Sequence, residues 1–203
     1  FKALGKLADP DSINVCIQGL RDPFENVAAS AADALGRLCE KGKGKVADKL
    51  DMVVSAILER VKHPIRTTQF RIDLLEAMAD IADSLFSSVL VENAQAVDAD
   101  PAIRQAAIRG LGRIQDRTNL GVITSKLLGD SNAAVREVAA EAVGELGDQP
   151  AHIEVLQSRL NPRMENAVAV QNRAWEAYQK VFLRLKPADQ EAALASWDGN
   201  DTK

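Results

Sequence analysis

The sequence predicts an all-α fold, a right-handed α-solenoid of about five stacked helical hairpins. A small-apolar-small pattern recurs as ALGKL from Ala3, ALGRL from Ala34, AMADI from Ala77, GLGRI from Gly110, AVGEL from Ala142 and a decayed AYQKV from Ala177, in steps of 31, 43, 33, 32 and 35 residues. A period of that size has room for two short helices, each burying its apolar face only by stacking on neighbours. Alanine is abundant and aromatic residues make up 4% of the 203-residue chain. That composition suits close-packed helices with small contact residues better than strands.

The elements follow in order. FKALGKL reads as the tail of a second helix, so the array is expected to begin inside a repeat and to be truncated at its N-terminus. First helices are predicted at about 11–20, 46–62, 84–96, 119–128 and 150–160. Second helices are predicted at about 24–39, 65–82, 101–115, 133–146 and 163–185. The turns between them carry helix breakers: Asp22-Pro23, His63-Pro64, Asp100-Pro101, Asp130-Ser131-Asn132 and Asn161-Pro162. The long 43-residue step contains KGKGK at 41–45, an inserted loop ahead of a longer helix. It lacks the GxxxxGK[ST] pattern and a preceding strand, so it is not a phosphate loop. A single array over 1–186 is expected, with PADQEAALASW from Pro187 forming a short capping helix and a polar tail to residue 203.

VREVAAEAVGELGD, from Val135, shows why glycine recurs. A helical glycine costs roughly 1 kcal/mol relative to alanine, so packing must require it. On a wheel of about 100° per residue, Val135, Ala139, Ala140, Ala142 and Leu146 gather around Val143 on the buried side, with Gly144 at the edge. Glu137, Glu141 and Glu145 face away. Equivalent positions hold Gly5, Gly36, Ala79 and Gly112, all small enough for a crossing helix backbone. The last repeat has Gln179 instead, and Trp175, Tyr178 and Phe182 are expected to form an aromatic cap against Trp197.

An arginine also recurs on the buried side: Arg71, Arg104 and Arg136, with Ala28 and Gln171 departing at the ends. A guanidinium placed there needs partners. The turn aspartates and carbonyls ahead of each second helix are the natural ones, namely Asp22, Asp98 or Asp100, and Asp130. The spacing D-x-x-x-x-V-R-x-x-A-A-x-A-L-G resembles the HEAT repeat, in particular the compact bacterial variety named after phycobilisome lyases. Asp130, Val135, Arg136, Ala139, Ala140 and Gly144 carry the resemblance, as do Asp98, Ile103, Arg104, Ala107 and Gly112. The resemblance implies a ladder of Asp and Arg along the stack for three repeats.

Net charge is −4, against a general affinity for nucleic acid or anionic membrane. No apolar run approaches the roughly 18 residues that span a bilayer. Cys16 and Cys39 have no metal-ligand spacing and read as small buried apolar residues in a reducing, cytoplasmic setting. His63 and His152 read as surface or capping residues. Neither is followed by Glu, which removes the His-Glu pairs of iron-dependent hydroxylases with this architecture, and no metal or cofactor is expected. HEAT-like DNA glycosylases use a basic, aromatic concave face, unlike this acidic chain. Bilin lyases resemble the repeat type, but no Cys, His and aromatic constellation is present to hold a chromophore.

The outward positions of the second helices read Lys2 and Lys6, Asp33 and Arg37, Glu76 and Asp80, Arg109 and Arg113, Glu141 and Glu145, then Glu176 and Lys180. Successive repeats so placed either neutralise one another or line a charged groove that recognises a protein or peptide. The expected function is a non-catalytic scaffold or protein-interaction module using Asp33, Arg37, Glu76, Asp80, Arg109, Arg113, Glu141 and Glu145. The alternatives are an accessory subunit or fragment of a bilin-lyase-like enzyme, and a nucleic-acid binder.

Overall fold

The computed structural model describes residues 1–7, 9–42 and 46–196. They fall into two compact units, Phe1–Ile114 and Gln115–Lys203. In the first, a lone helix α1 (Lys2–Leu7) precedes three hairpins: α2 (Ile13–Gly19) with α3 (Glu25–Lys41), α4 (Leu50–Lys62) with α5 (Thr68–Ile81), and α6 (Ser87–Gln95) with α7 (Pro101–Ile114). In the second, α8 (Leu120–Gly129) pairs with α9 (Ala133–Leu146) and α10 (Pro150–Leu160) with α11 (Val168–Phe182), followed by α12 (Pro187–Ser196). No strand occurs among the described residues. Residues 43–45 of the KGKGK insertion and Trp197 lie outside them.

Local chemistry sets the ends. Asn132 accepts from Ala134 N and Val135 N to start α9, and Thr67 Oγ1 accepts from Phe70 N to start α5. Pro150 opens α10, where His152 Nδ1 accepts from Asp148 N at 3.2 Å and Gln149 N at 3.1 Å. His152 is therefore a capping residue. The α5 cap Ala82 adopts φ 57, and Gln115 after α7 adopts φ 59. The unit boundary falls at Gln115.

Four of the five first helices start later than expected, and α10 starts at Pro150 as expected. Before α2, α4, α6 and α8 the chain makes a 3-10 turn, over Pro10–Ser12, Ala47–Lys49, Ser84–Phe86 and Arg117–Asn119. Asp9, Asp83 and Asp116 each accept from the backbone N–H two residues on, which holds the chain out of the α conformation at these entries. Before α11 the expected start at 163 slips to Val168, because Asn161 accepts from Arg163 N and Glu165 accepts from Ala167 N.

Second helices form the continuous layer of each unit: α1 packs on α3, α3 on α5 and α5 on α7, while α9 packs on α11. First helices cover one side of that layer, with Ile13, Leu35, Phe70, Leu74, Phe86 and Leu90 among the fully buried side chains of the first unit. Each such burial contributes about 2 kcal/mol. Gly5, Gly36 and Gly144 lie where second helices cross. A Cβ on Gly5 would stand 3.0 Å from Ala34 Cα, and one on Gly36 would stand 3.2 Å from Ala77 Cα. Ala34 thus meets the preceding helix while Gly36 admits the following one. In the second unit Gly144 meets Ala177 in the same way. The decayed motif keeps Ala177, the backward contact, and Gln179 in the forward position is exposed.

Trp175 stacks on Tyr178 with ring centroids 5.6 Å apart, and Tyr178 on Phe182 at 5.8 Å, in one column along α11. Helix α12 packs on α10. Gln157 of α10 donates to Ala193 O, and Gln190 of α12 donates to Phe182 O.

Candidate functional site

The outward positions of α3, α5 and α7 converge in the first unit on an open groove of about 710 Å³. Asp33, Arg37, Glu76, Asp80, Arg109 and Arg113 all line it, so six of the eight residues marked from sequence share one surface. Asp73 and Gln69 line it too and were not marked. Their signal was available: Gln69, Asp73, Glu76 and Asp80 follow each other at spacings of three and four, one face of α5.

Within the groove, charges on successive helices pair across the layer. Arg37 Nε donates to Asp33 on its own helix at 2.8 Å. Arg109 of α7 stands 3.7 Å from Glu76 of α5. Arg113 hydrogen-bonds Asp80 of α5 and comes within 3.9 Å of Glu40 of α3, so one guanidinium reaches both preceding second helices. All are at least a quarter exposed, and each pair contributes under about 1 kcal/mol. The carboxylates outnumber the cations: Asp33, Asp73, Glu76, Asp80 and nearby Glu40 against Arg37, Arg109 and Arg113. Partial burial pushes the Glu76 and Asp80 carboxyls above the ordinary range, the arginines pull them back, and neighbouring carboxylates add to the rise.

Glu141 and Glu145 lie on α9 in the second unit. Both are exposed; Glu145 accepts from Lys180 of α11, and Glu137 stands 3.9 Å from Arg173.

The arginine positions act differently from a simple row of Asp–Arg pairs. Arg104 is buried, and its Nη1 donates to Ala99 O at 2.6 Å and Val97 O at 3.3 Å, the carbonyls on either side of Asp98. Asp98 itself is exposed, where its carboxylate keeps its hydration while the inward carbonyls need a donor. Arg136 Nη1 likewise donates to Asp130 O at 2.8 Å and Ser131 O at 3.2 Å. Its remaining nitrogens form a bidentate pair with Glu165 at 2.7 and 2.8 Å. Gln171 at the equivalent position donates to Glu165 O, so this glutamine closes its loop just as the arginines do. Arg71 is a correction. It is exposed rather than buried, and its head donates sideways to Asn93 of α6 at 3.2 Å. Asp22, Asp100 and Asp130 each use a carboxylate oxygen to hold the N–H two residues on.

Glu165 was missed from sequence, since no charge period marks a glutamate in a loop. It is 2% exposed, and the Arg136 guanidinium holds its carboxyl below the ordinary range, helped by the Ala167 N–H. Glu25 performs the same joining task at the first hairpins without a guanidinium, accepting from Arg66 N at 2.6 Å, Thr67 N at 2.9 Å and Thr67 Oγ1 at 2.6 Å.

Cys16 and Cys39 are buried and free, and burial pushes the Cys39 thiol up to about 11. Among the described residues no three His, Cys, Asp or Glu side chains gather as metal ligands, and no helix is long and apolar enough to cross a membrane.

Residues 87–171 match the family described as HEAT repeats, and residues 13–42 match the family described as HEAT repeat. The chain carries HEAT repeats. Among solved structures it is similar to an engineered protein from a structural genomics consortium, at a TM-score of 0.59 and 18% identity over 91% of this chain and 90% of that one. It is also similar to a designed armadillo repeat protein, at a TM-score of 0.54 and 15% identity over 89% and 91%. At these identities the likeness is one of fold, an all-α stack of helical hairpins. No curated protein matches the sequence. The HEAT matches do not support the narrower likeness to phycobilisome lyases. HEAT and armadillo-like repeats commonly serve as protein-interaction scaffolds.

Proposed function

We propose that this HEAT-repeat chain is a non-catalytic scaffold that binds another protein, with the groove across α3, α5 and α7 as its binding face. The carrying observation is the convergence of Asp33, Asp73, Glu76 and Asp80 in one open groove where Arg37, Arg109 and Arg113 leave a carboxylate surplus. Such a surface favours a segment bearing lysine or arginine, by steering and by charge-assisted hydrogen bonds. Glu141 and Glu145 give α9 of the second unit an acidic face for the same class of partner. The acidic balance disfavours a nucleic-acid role, and the bilin-lyase reading has no residue constellation behind it. A reducing, cytoplasmic setting belongs to the same reading, supported by two buried thiols that form no disulfide.

Affinity capture with mass spectrometry identifies the partner, and the double variant Asp73→Lys, Glu76→Lys then tests the face. The folded variant, checked by circular dichroism, is expected to lose capture and the salt dependence of association. Unchanged affinity and salt dependence would remove the groove as the site.

A further inference from the structure

At the turn end of the first two hairpins lies a second depression, a cleft of about 630 Å³ with a different character. The α2–α3 turn and the end of α4 with its following turn form its walls. Its apolar lining includes Ile17, Leu20, Pro23, Phe24, Ala56 and Pro64. Leu20 is fully buried beneath, whereas the Phe24 side chain stands at the edge, 70% exposed. A large aromatic left in water beside an apolar floor is a common feature of recognition surfaces.

Charge commitment gives the cleft its polarity. By count it is balanced, with Arg21, Arg60 and Arg66 facing Asp22, Glu25 and Glu59. The three carboxylates are all engaged. Asp22 accepts from Phe24 N at 2.9 Å. Glu25 uses both oxygens on Arg66 N and Thr67. Glu59 holds Lys62 at 3.0 Å and lies 3.6 Å from His63. Of the cations, Arg60 is drawn over the Phe70 ring at 4.5 Å. The exposed guanidiniums of Arg21 and Arg66 have no ion pair or side-chain hydrogen bond among the described residues. The Arg21 and Arg66 heads therefore keep most of their donors unengaged, against a single carboxylate oxygen of Asp22, and Arg21 adds a longer-range attraction to Glu59.

We propose that this cleft docks an acidic peptide segment of a partner protein, with one aromatic or large aliphatic side chain seated on Ile17, Ala56 and Phe24 and flanking carboxylates on Arg21 and Arg66. The paired requirement sets its specificity: the apolar anchor removes water around the guanidiniums, which strengthens the charged hydrogen bonds. This site is separate in chemistry from the carboxylate-rich groove, and the two select partner segments of opposite charge.

The test is an amide chemical-shift titration of the full chain with four probes: the hexapeptide Glu-Asp-Phe-Leu-Glu-Asp, its version with Phe and Leu changed to Ala, its version with acids changed to Lys, and a single-stranded oligonucleotide. The first peptide is expected to give saturable shifts confined to residues 20–24 and 63–67. The alanine version is expected to bind about tenfold more weakly and the lysine version not to shift those residues. Arg21→Ala with Arg66→Ala removes two exposed side chains that make no ion pair or side-chain hydrogen bond among the described residues, and is expected to weaken the first peptide about tenfold with a melting temperature changed by no more than a surface charge substitution brings. Phe24→Ala is expected to weaken it similarly. Absent shifts, equal response to the lysine peptide, or saturation by the oligonucleotide alone would overturn the proposal. Loss of groove binding in the Asp73→Lys, Glu76→Lys variant leaves this site intact, so the two readings fail separately.

Discussion

A Cβ placed on Gly144 would lie 2.8 Å from both Cα and Cβ of Ala177, closer than side-chain carbons approach. The crossing of α9 and α11 is thus set by the absence of one methyl group. Gly144→Leu is expected to destabilise by about 3 kcal/mol through overpacking, although leucine is the better helix former. Gly121 of α8 provides the opposite case, since a Cβ there meets nothing within 4 Å. Gly121→Ala is expected to stabilise by about 0.5–1 kcal/mol. Chemical denaturation of both variants checks the pair, and a stabilised Gly144→Leu would refute the close crossing.

The Arg136–Glu165 pair joins the last two hairpins. Removing the guanidinium leaves a carboxylate that is 2% exposed without its main partner, so Arg136→Ala is expected to cost about 3 kcal/mol. Because the folded Glu165 carboxyl sits below its ordinary 4.5, the stability it brings is full above that pH and is lost as the pH falls through the lower folded value. Denaturation midpoints of wild type and variant should therefore differ fully at pH 7 and converge below pH 4.5.

His152 accepts two backbone N–H groups through Nδ1, which requires the neutral ring. Burial holds its folded value below the ordinary 6.5, Arg117 lowers it further and Asp148 opposes both. Stability from this cap is present above 6.5 and declines as the pH falls from there towards the folded value. Melting temperatures from pH 7.5 to 5 should show this decline in wild type and a flatter profile in His152→Asn. Equal slopes would mean the ring titrates without consequence.

Ala82 ends α5 at φ 57, a conformation that costs an L-residue about 1 kcal/mol and glycine almost nothing. Ala82→Gly is expected to raise stability by about 0.5 kcal/mol after the added freedom of the unfolded chain is counted. A measured loss would show that the alanine methyl makes a contact of greater value.

The helical hairpins were legible in the sequence because alanine, glycine and proline act locally: the ALGRL and AVGEL pairs, Pro101 and Asn132 each mark a position through short-range geometry. Most of the groove was legible for the same reason, since Glu76 and Asp80, or Arg109 and Arg113, share a helix face by spacing alone. Glu165 and Glu25 were not, because their partners lie 29 and about 41 residues away and no period links them. Arg71 misled because the helical wheel gives the direction of a Cβ, while a long side chain places its charge several ångströms further on. The 3-10 entries escaped because Asp83 and Asp116 compete with the helix through hydrogen bonds that hydrophobic periodicity does not register.

The two-sided contact of Ala34 and Gly36 bears on how such a chain can grow. A helix whose small residues sit two apart presents one to its predecessor and the other to its successor, so a duplicated repeat arrives with both mating surfaces already matched. Gene duplication by whole periods is then structurally silent, whereas inserting a single residue between the pair turns one surface by about 100° and leaves the other in phase. Length along the stack is free to change in units of a hairpin or within the loops, while a change between the two small residues is resisted at one junction only.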